Sequence, residues 1–115
     1  MSKKLLLVED EEGVRQAIRR FFVKRGFEVL EADTCVAAEQ IIRAEGPDVA
    51  VLDYRLPDGD GIGVLRAARA LDPELPVVML TGHGSIDVAV RAVKEGAEQF
   101  LTKPAELPVL SMIVE

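Results

Sequence analysis

The stretch Asp48 to Gly61, DVAVLDYRLPDGDG, decides how this chain is read. Val49 to Leu52 is short, apolar and rich in β-branched residues, which suits a strand covered on both faces, and Pro57 to Gly61 is dense in turn formers. Asp53 therefore stands at the carboxyl end of a buried strand. In open parallel sheets that edge is where ligands bind. Taken alone, Asp53 is equally well read as an acidic terminator on a solvated loop, so the question is what else converges on it.

Upstream, Lys4 to Glu9 opens with Leu5, Leu6, Leu7 and Val8, a central strand that ends in the acids Glu9, Asp10, Glu11 and Glu12. Val14, Ala17, Ile18 and Phe21 then recur at helical spacing, with Arg15, Arg19 and Arg20 between them, and Gly26 is placed to terminate the helix. Phe27 to Ala32 alternates like a strand nearer an edge. Thr34 can cap a second helix carrying Ala38, Ile41 and Ile42, which Gly46 and Pro47 stop.

Downstream of the turn, Ile62, Leu65, Ala68 and Leu71 predict a third helix ending at Asp72 and Pro73. Pro76 to Thr81 is another apolar strand. Ser85 is a good N-cap for a fourth helix with Ile86, Ala89, Val90 and Val93, which Gly96 ends. Glu98 to Thr102 runs as a fifth strand into Lys103 and Pro104, and Leu107, Leu110 and Ile113 begin a last helix. That helix is short, with an apolar stripe and no stop signal, and is expected to be cut from a longer protein.

Strands alternating with helices through short loops predict a single doubly wound α/β domain over residues 1–115, a three-layer sandwich with a five-stranded parallel sheet in flavodoxin-like order 2-1-3-4-5. A chain of 115 residues with 49% apolar content can bury one sizeable core. With 20 acids against 14 Lys and Arg, the net charge of -6 argues against nucleic-acid or anionic-lipid binding by this segment. No apolar run approaches the roughly 20 residues of a membrane span, there is no cleavable leader, and the single Cys35 is read as a packing residue. The expectation is a cytoplasmic protein.

Applied to every strand, the strand-end rule delivers Glu9 and Asp10, Asp53, Thr81 and Lys103 to one rim. Clustered carboxylates repel, so a hard divalent cation is the expected counter-charge, and Mg²⁺ suits carboxylates combined with a phosphate oxygen. Lys103 supplies a compact positive charge and Thr81 a hydroxyl donor, while Gly82 and Gly84 let the backbone approach an anion. Asp53 is then a nucleophile able to take up a phosphoryl group as an acyl phosphate. Singly, each of these residues has an ordinary structural explanation; their joint placement carries the argument. His83 is read as a loop residue flanking the site.

An acidic pair, Asp53 with Pro57 four residues on, Thr81, and Lys103 followed by Pro104 together resemble the receiver domain of bacterial two-component response regulators, across essentially the whole chain. The resemblance implies that Asp53 accepts a phosphoryl group from the phosphohistidine of a sensor histidine kinase. It implies that Glu9, Asp10, Asp53 and the backbone carbonyl of Arg55 surround Mg²⁺, and that Lys103 and Thr81 bind the phosphoryl oxygens. It implies a cis bond before Pro104, and a switch in which Thr81 moves and Phe100, three residues before the lysine, rotates inward. Phe100 has no hydroxyl, so packing is its lever. The face of the fourth helix, fifth strand and fifth helix is the implied readout surface.

Thr81 to Pro104, TGHGSIDVAVRAVKEGAEQFLTKP, is similar to receivers of NtrC-type transcriptional activators, in which an ATPase and a helix-turn-helix domain follow. No Walker motif stands in these residues. Homodimerisation on activation is open, with Asp87, Arg91, Lys94 and Glu95 of the fourth helix expected to be solvated before it. Two other function classes compete. A phosphohydrolase of haloacid-dehalogenase type would need an acid two residues after Asp53, where Arg55 stands, and a phosphorylation-independent interaction module would ordinarily have lost an acid or the lysine.

Overall fold

Alternation along the buried strands builds a core on each side of one sheet. In the computed structural model, which describes residues 3–82, 86–97, 99–103 and 106–115, with the side chains of 86–88 left aside, the order is β1 (Lys4–Val8), α1 (Glu12–Lys24), β2 (Glu28–Ala32), α2 (Cys35–Glu45) and β3 (Val49–Asp53). A two-residue hairpin of β4 (Arg55–Leu56) and β5 (Gly59–Asp60) precedes α3 (Gly61–Leu71), β6 (Val77–Thr81), α4 (Ile86–Lys94), β7 (Gln99–Thr102) and α5 (Leu107–Val114). The main sheet is parallel in the order β2-β1-β3-β6-β7. That is the expected 2-1-3-4-5 order, because β4 and β5 lie outside the sheet.

Leu5, Leu7, Val49, Val51, Val78 and Leu80 pack with Ile18 and Phe22 of α1 and Leu110 of α5. Leu6, Val8, Ala50, Leu52, Val77 and Met79 turn the other way, onto Ala38 and Ile42 of α2, Ile62, Leu65 and Ala68 of α3 and Ala92 of α4. Every residue of β3 and β6 is buried, as strands covered on both faces require.

The helix boundaries follow local chemistry. Thr34 caps α2 by accepting from the Ala37 amide at 3.1 Å. Gly26, Gly46 and Gly96 all take positive φ just beyond their helices, at 90°, 55° and 98°. Leu71 departs from its expected place on the apolar stripe: it is 45% exposed, because α3 ends there and the chain leaves the core. Glu95 lies in the turn after α4, at the surface, where it pairs with the exposed Arg66 of α3 at 3.0 Å. The expected Ser85 cap, the loop residues His83 and Gly84, Glu98 at the start of the fifth strand, and the peptide bond to Pro104 lie outside the described residues.

One glycine sets the approach of α3 to the end of β3. The Gly61 amide donates to the Tyr54 carbonyl at 2.6 Å, and a Cβ on Gly61 would fall on the Asp53 carbonyl and lie 2.9 Å from Met79 Sδ. Gly63, two residues on, has open space around it. Gly61→Ala is therefore expected to cost about 1–3 kcal/mol of unfolding free energy by urea titration, and Gly63→Ala to gain about 0.5–1 kcal/mol through helix propensity.

Candidate functional site

The sheet register assembles the site. Val8 pairs with Leu52, so one step further along the two strands Glu9 comes opposite Asp53. Both share the side of the sheet that Leu7 and Val51 give to α1 and α5, and Lys103 shares it through Leu101 of β7. The Lys103 amide donates to the Thr81 carbonyl at 2.7 Å, extending the β6–β7 ladder by a step. Alternation thus converts a list of strand ends into a side-by-side pair of carboxylates with an ammonium over them.

The side chains meet as that register requires. Lys103 Nζ ion-pairs with Glu9 Oε1 and, at 3.1 Å, with Asp53 Oδ2. Glu9 is 1% and Asp53 5% exposed. Carboxylate oxygens of Glu9, Asp10 and Asp53 lie within 4.8 Å of one another, Asp10 being the exposed member. Glu9 Oε2 also accepts from the Glu11 amide at 3.2 Å, a bond that closes the turn into α1.

Three carboxylates against one ammonium leave an excess of negative charge. Burial pushes the Glu9 carboxyl above its ordinary range; Lys103 opposes this and Asp53 adds to it. Burial works against the Lys103 ammonium, but the Glu9 and Asp53 carboxylates outweigh it and leave its pKa raised, so it is a cation at neutral pH. Glu9 Oε1 lies in direct contact with that charge. An all-oxygen donor set with surplus negative charge fits a hard divalent cation.

The other expected residues are placed as follows. Thr81 is buried at the end of β6, with the parity of Val77 and Met79 and so on the α3–α4 side of the sheet. Phe100, paired in register with Met79, is half-buried against the same cluster. Arg55 is exposed and begins the hairpin opposite Asp60.

Some of the supporting contacts had no signal in the sequence. Asp58 accepts from the amides of Cys35 at 2.7 Å and Val36 at 3.1 Å, tying the loop after Asp53 to the start of α2. Those amides, that of Cys35 foremost, hold the Asp58 carboxyl below its usual range. Burial, then Asp58, pushes the Cys35 thiol up to about 12, so this half-buried cysteine packs and is not a reactive thiolate. Arg15 donates from Nη1 to the Glu9 carbonyl at 2.9 Å and from Nε to Glu31 at 3.1 Å, across 16 residues of sequence.

Residues 5–115 match the response regulator receiver domain. The chain belongs to that family. It is 43% identical over 104 residues to the photosynthetic apparatus regulatory protein RegA of Rhodobacter capsulatus, covering 90% of this chain and 56% of that one. A Burkholderia pseudomallei response regulator, solved with a phosphorylated aspartic acid, a calcium ion and citrate, superposes with a TM-score of 0.93 at 29% identity, over 99% of this chain and 67% of that one. The beryllofluoride-activated NtrC4 receiver domain dimer gives a TM-score of 0.91 at 34% identity, over 96% and 92%. This receiver domain spans from about a quarter to just over half the length of curated relatives that it matches. Among the described residues no helix is long and apolar enough to cross a membrane.

The charge excess has a measurable sign. With chelator present, Glu9→Gln should raise the unfolding free energy by about 1 kcal/mol, because it removes a buried charge and leaves Lys103 paired with Asp53. Millimolar Mg²⁺ should stabilise the parent protein and not the variant. Thermal unfolding of both, with and without the cation, checks this.

Proposed function

We propose that this receiver domain is a phosphorylation-activated switch of a two-component system, in which Asp53 accepts the phosphoryl group of a phosphohistidine on a sensor histidine kinase. The observation that carries the reading is the pairing of buried Asp53 with Glu9 and Lys103 at the carboxyl edge of the sheet, with Asp10 beside them. An Asp53 carboxylate oxygen attacks phosphorus, the bond from phosphorus to the histidine nitrogen breaks, and its electron pair leaves with the imidazole. Lys103, already against Asp53 Oδ2, donates to a phosphoryl oxygen, and the Thr81 hydroxyl donates to another. Burial of Asp53 limits the water that can reach the product.

Glu9, Asp10, Asp53 and the Arg55 carbonyl are the groups we assign to a divalent cation, with Mg²⁺ as the ion. When bound, it supplies charge neutralisation for the carboxylates and the transferring oxygens. The chain acts as a catalyst only towards its own Asp53.

Thr81 and Phe100 occupy the same side of the sheet, so an inward shift of Thr81 vacates space that Phe100 can fill, and the change reaches the face made by α4, β7 and α5. That face relays to an output segment beyond residue 115 and is where a second receiver pairs on activation. The shares of relatives' length that this chain spans support a longer regulator. Transcriptional output through ATPase and helix-turn-helix domains and a cytoplasmic location complete the reading.

Incubation with Mg²⁺ and acetyl phosphate should give a labile single phosphoryl adduct by intact mass, absent in Asp53→Asn and in a chelated sample. No adduct in the parent protein, with that donor or with phosphorylated kinases, would leave a phosphorylation-independent interaction module in its place.

A further inference from the structure

The backbone that carries the two neighbouring acids is held from outside the acidic cluster by one guanidinium. Arg15, in the first turns of α1, donates from Nη1 to the Glu9 carbonyl at 2.9 Å and from Nε to Glu31 Oε1 at 3.1 Å. Glu31 is itself fixed on β2, its Oε1 accepting from Gln16 Nε2 at 3.2 Å and its Oε2 facing Arg19 Nε at 3.2 Å. The Glu9 amide donates to the Ala32 carbonyl at 3.0 Å. Both polar groups of the Glu9 backbone are therefore tied to β2, one directly and the other through Arg15 and Glu31.

This arrangement governs Asp10. Glu9 is buried and its carboxylate is gripped by Lys103, whereas Asp10 is exposed, and the direction in which its side chain leaves is set by the peptide joining it to Glu9. The carbonyl of that peptide is the one Arg15 holds. Groups that orient ligands from a second layer commonly matter tenfold or more to metal affinity, because they remove ordering cost from the binding step.

We infer that Arg15, anchored by Glu31, is the positioning residue that holds Asp10 in reach of a divalent cation at Glu9 and Asp53. The inference rests on the assignment of those acids to the cation. A guanidinium suits the task because its fork bonds two acceptors at fixed geometry, which an ammonium on a flexible stem does not reproduce.

The sign of the effect separates positioning from charge. A cation near a cation site repels, so if Arg15 acted by charge alone its removal would tighten Mg²⁺ binding. If it positions Asp10, removal weakens binding. Arg19 gives the comparison, since it pairs with Glu31 and makes no hydrogen bond to the Glu9 backbone.

The test is calorimetric Mg²⁺ titration of the parent chain, Arg15→Gln, Arg15→Lys, Arg19→Gln and Asp10→Asn, with circular dichroism to establish that each is folded. Arg15→Gln is expected to weaken Mg²⁺ about tenfold and Arg15→Lys about threefold or more, while Arg19→Gln binds as the parent does or slightly tighter. Saturating Mg²⁺ should restore the rate at which acetyl phosphate modifies Arg15→Gln, a recovery that general loosening of the fold would not show. If Arg15→Gln does not fold, Arg15→Lys, which keeps the charge and the stem, decides. Unchanged or tighter binding in the folded Arg15 variants, or equal weakening in Arg19→Gln, overturns the inference and leaves the cation site standing. A parent chain that does not bind Mg²⁺, or an Asp10→Asn variant that binds as well as the parent, overturns both.

Discussion

Two carboxylates, Glu9 and Asp53, are buried next to each other at the ends of the two central strands, and a single ammonium, Lys103, bridges them. Like charges removed from water repel strongly, and one cation offsets only part of the cost. The rest of the domain is what makes the arrangement sustainable. Strands with apolar side chains on both faces pin the register, the register puts the acids opposite each other, and the β6–β7 ladder carries Lys103 over them. The residual negative charge at this rim is of the kind a divalent cation offsets.

The same alternation divides the rim residues between the two sides of the sheet. Glu9, Asp53 and Lys103 fall on the α1–α5 side, whereas Thr81 and Phe100 fall on the side of α3 and α4. Gly61 closes the distance between the end of β3 and the start of α3, where no side chain would fit against the Asp53 carbonyl.

Much of this was legible in the sequence because it depends on local pattern. Continuous apolar runs marked the buried strands, Thr34 and the glycines after α1, α2 and α4 marked boundaries, and the acids and the lysine stood where strands stop. What stayed hidden depends on contacts between distant segments. Nothing around Arg15 announces that it bonds the Glu9 carbonyl, because Glu31, which orients it, lies on another strand. Asp58 reads as a turn residue until α2 is seen above it. Leu71 was misplaced for a related reason: helical periodicity runs on past the residue at which the helix leaves its neighbours, and only packing shows where that is.

The central claim is that these acids and this lysine form one phosphoryl-accepting, cation-dependent site. It is tested most directly by a crystal structure grown with Mg²⁺ and beryllofluoride, which forms a phosphoryl-like group on a carboxylate. The account predicts that group on Asp53, with the cation contacting Glu9, Asp10 and Asp53 and Lys103 turned from Glu9 towards a fluorine. Beryllofluoride on another residue, or Lys103 still bridging Glu9 and Asp53 with no cation beside them, would contradict it.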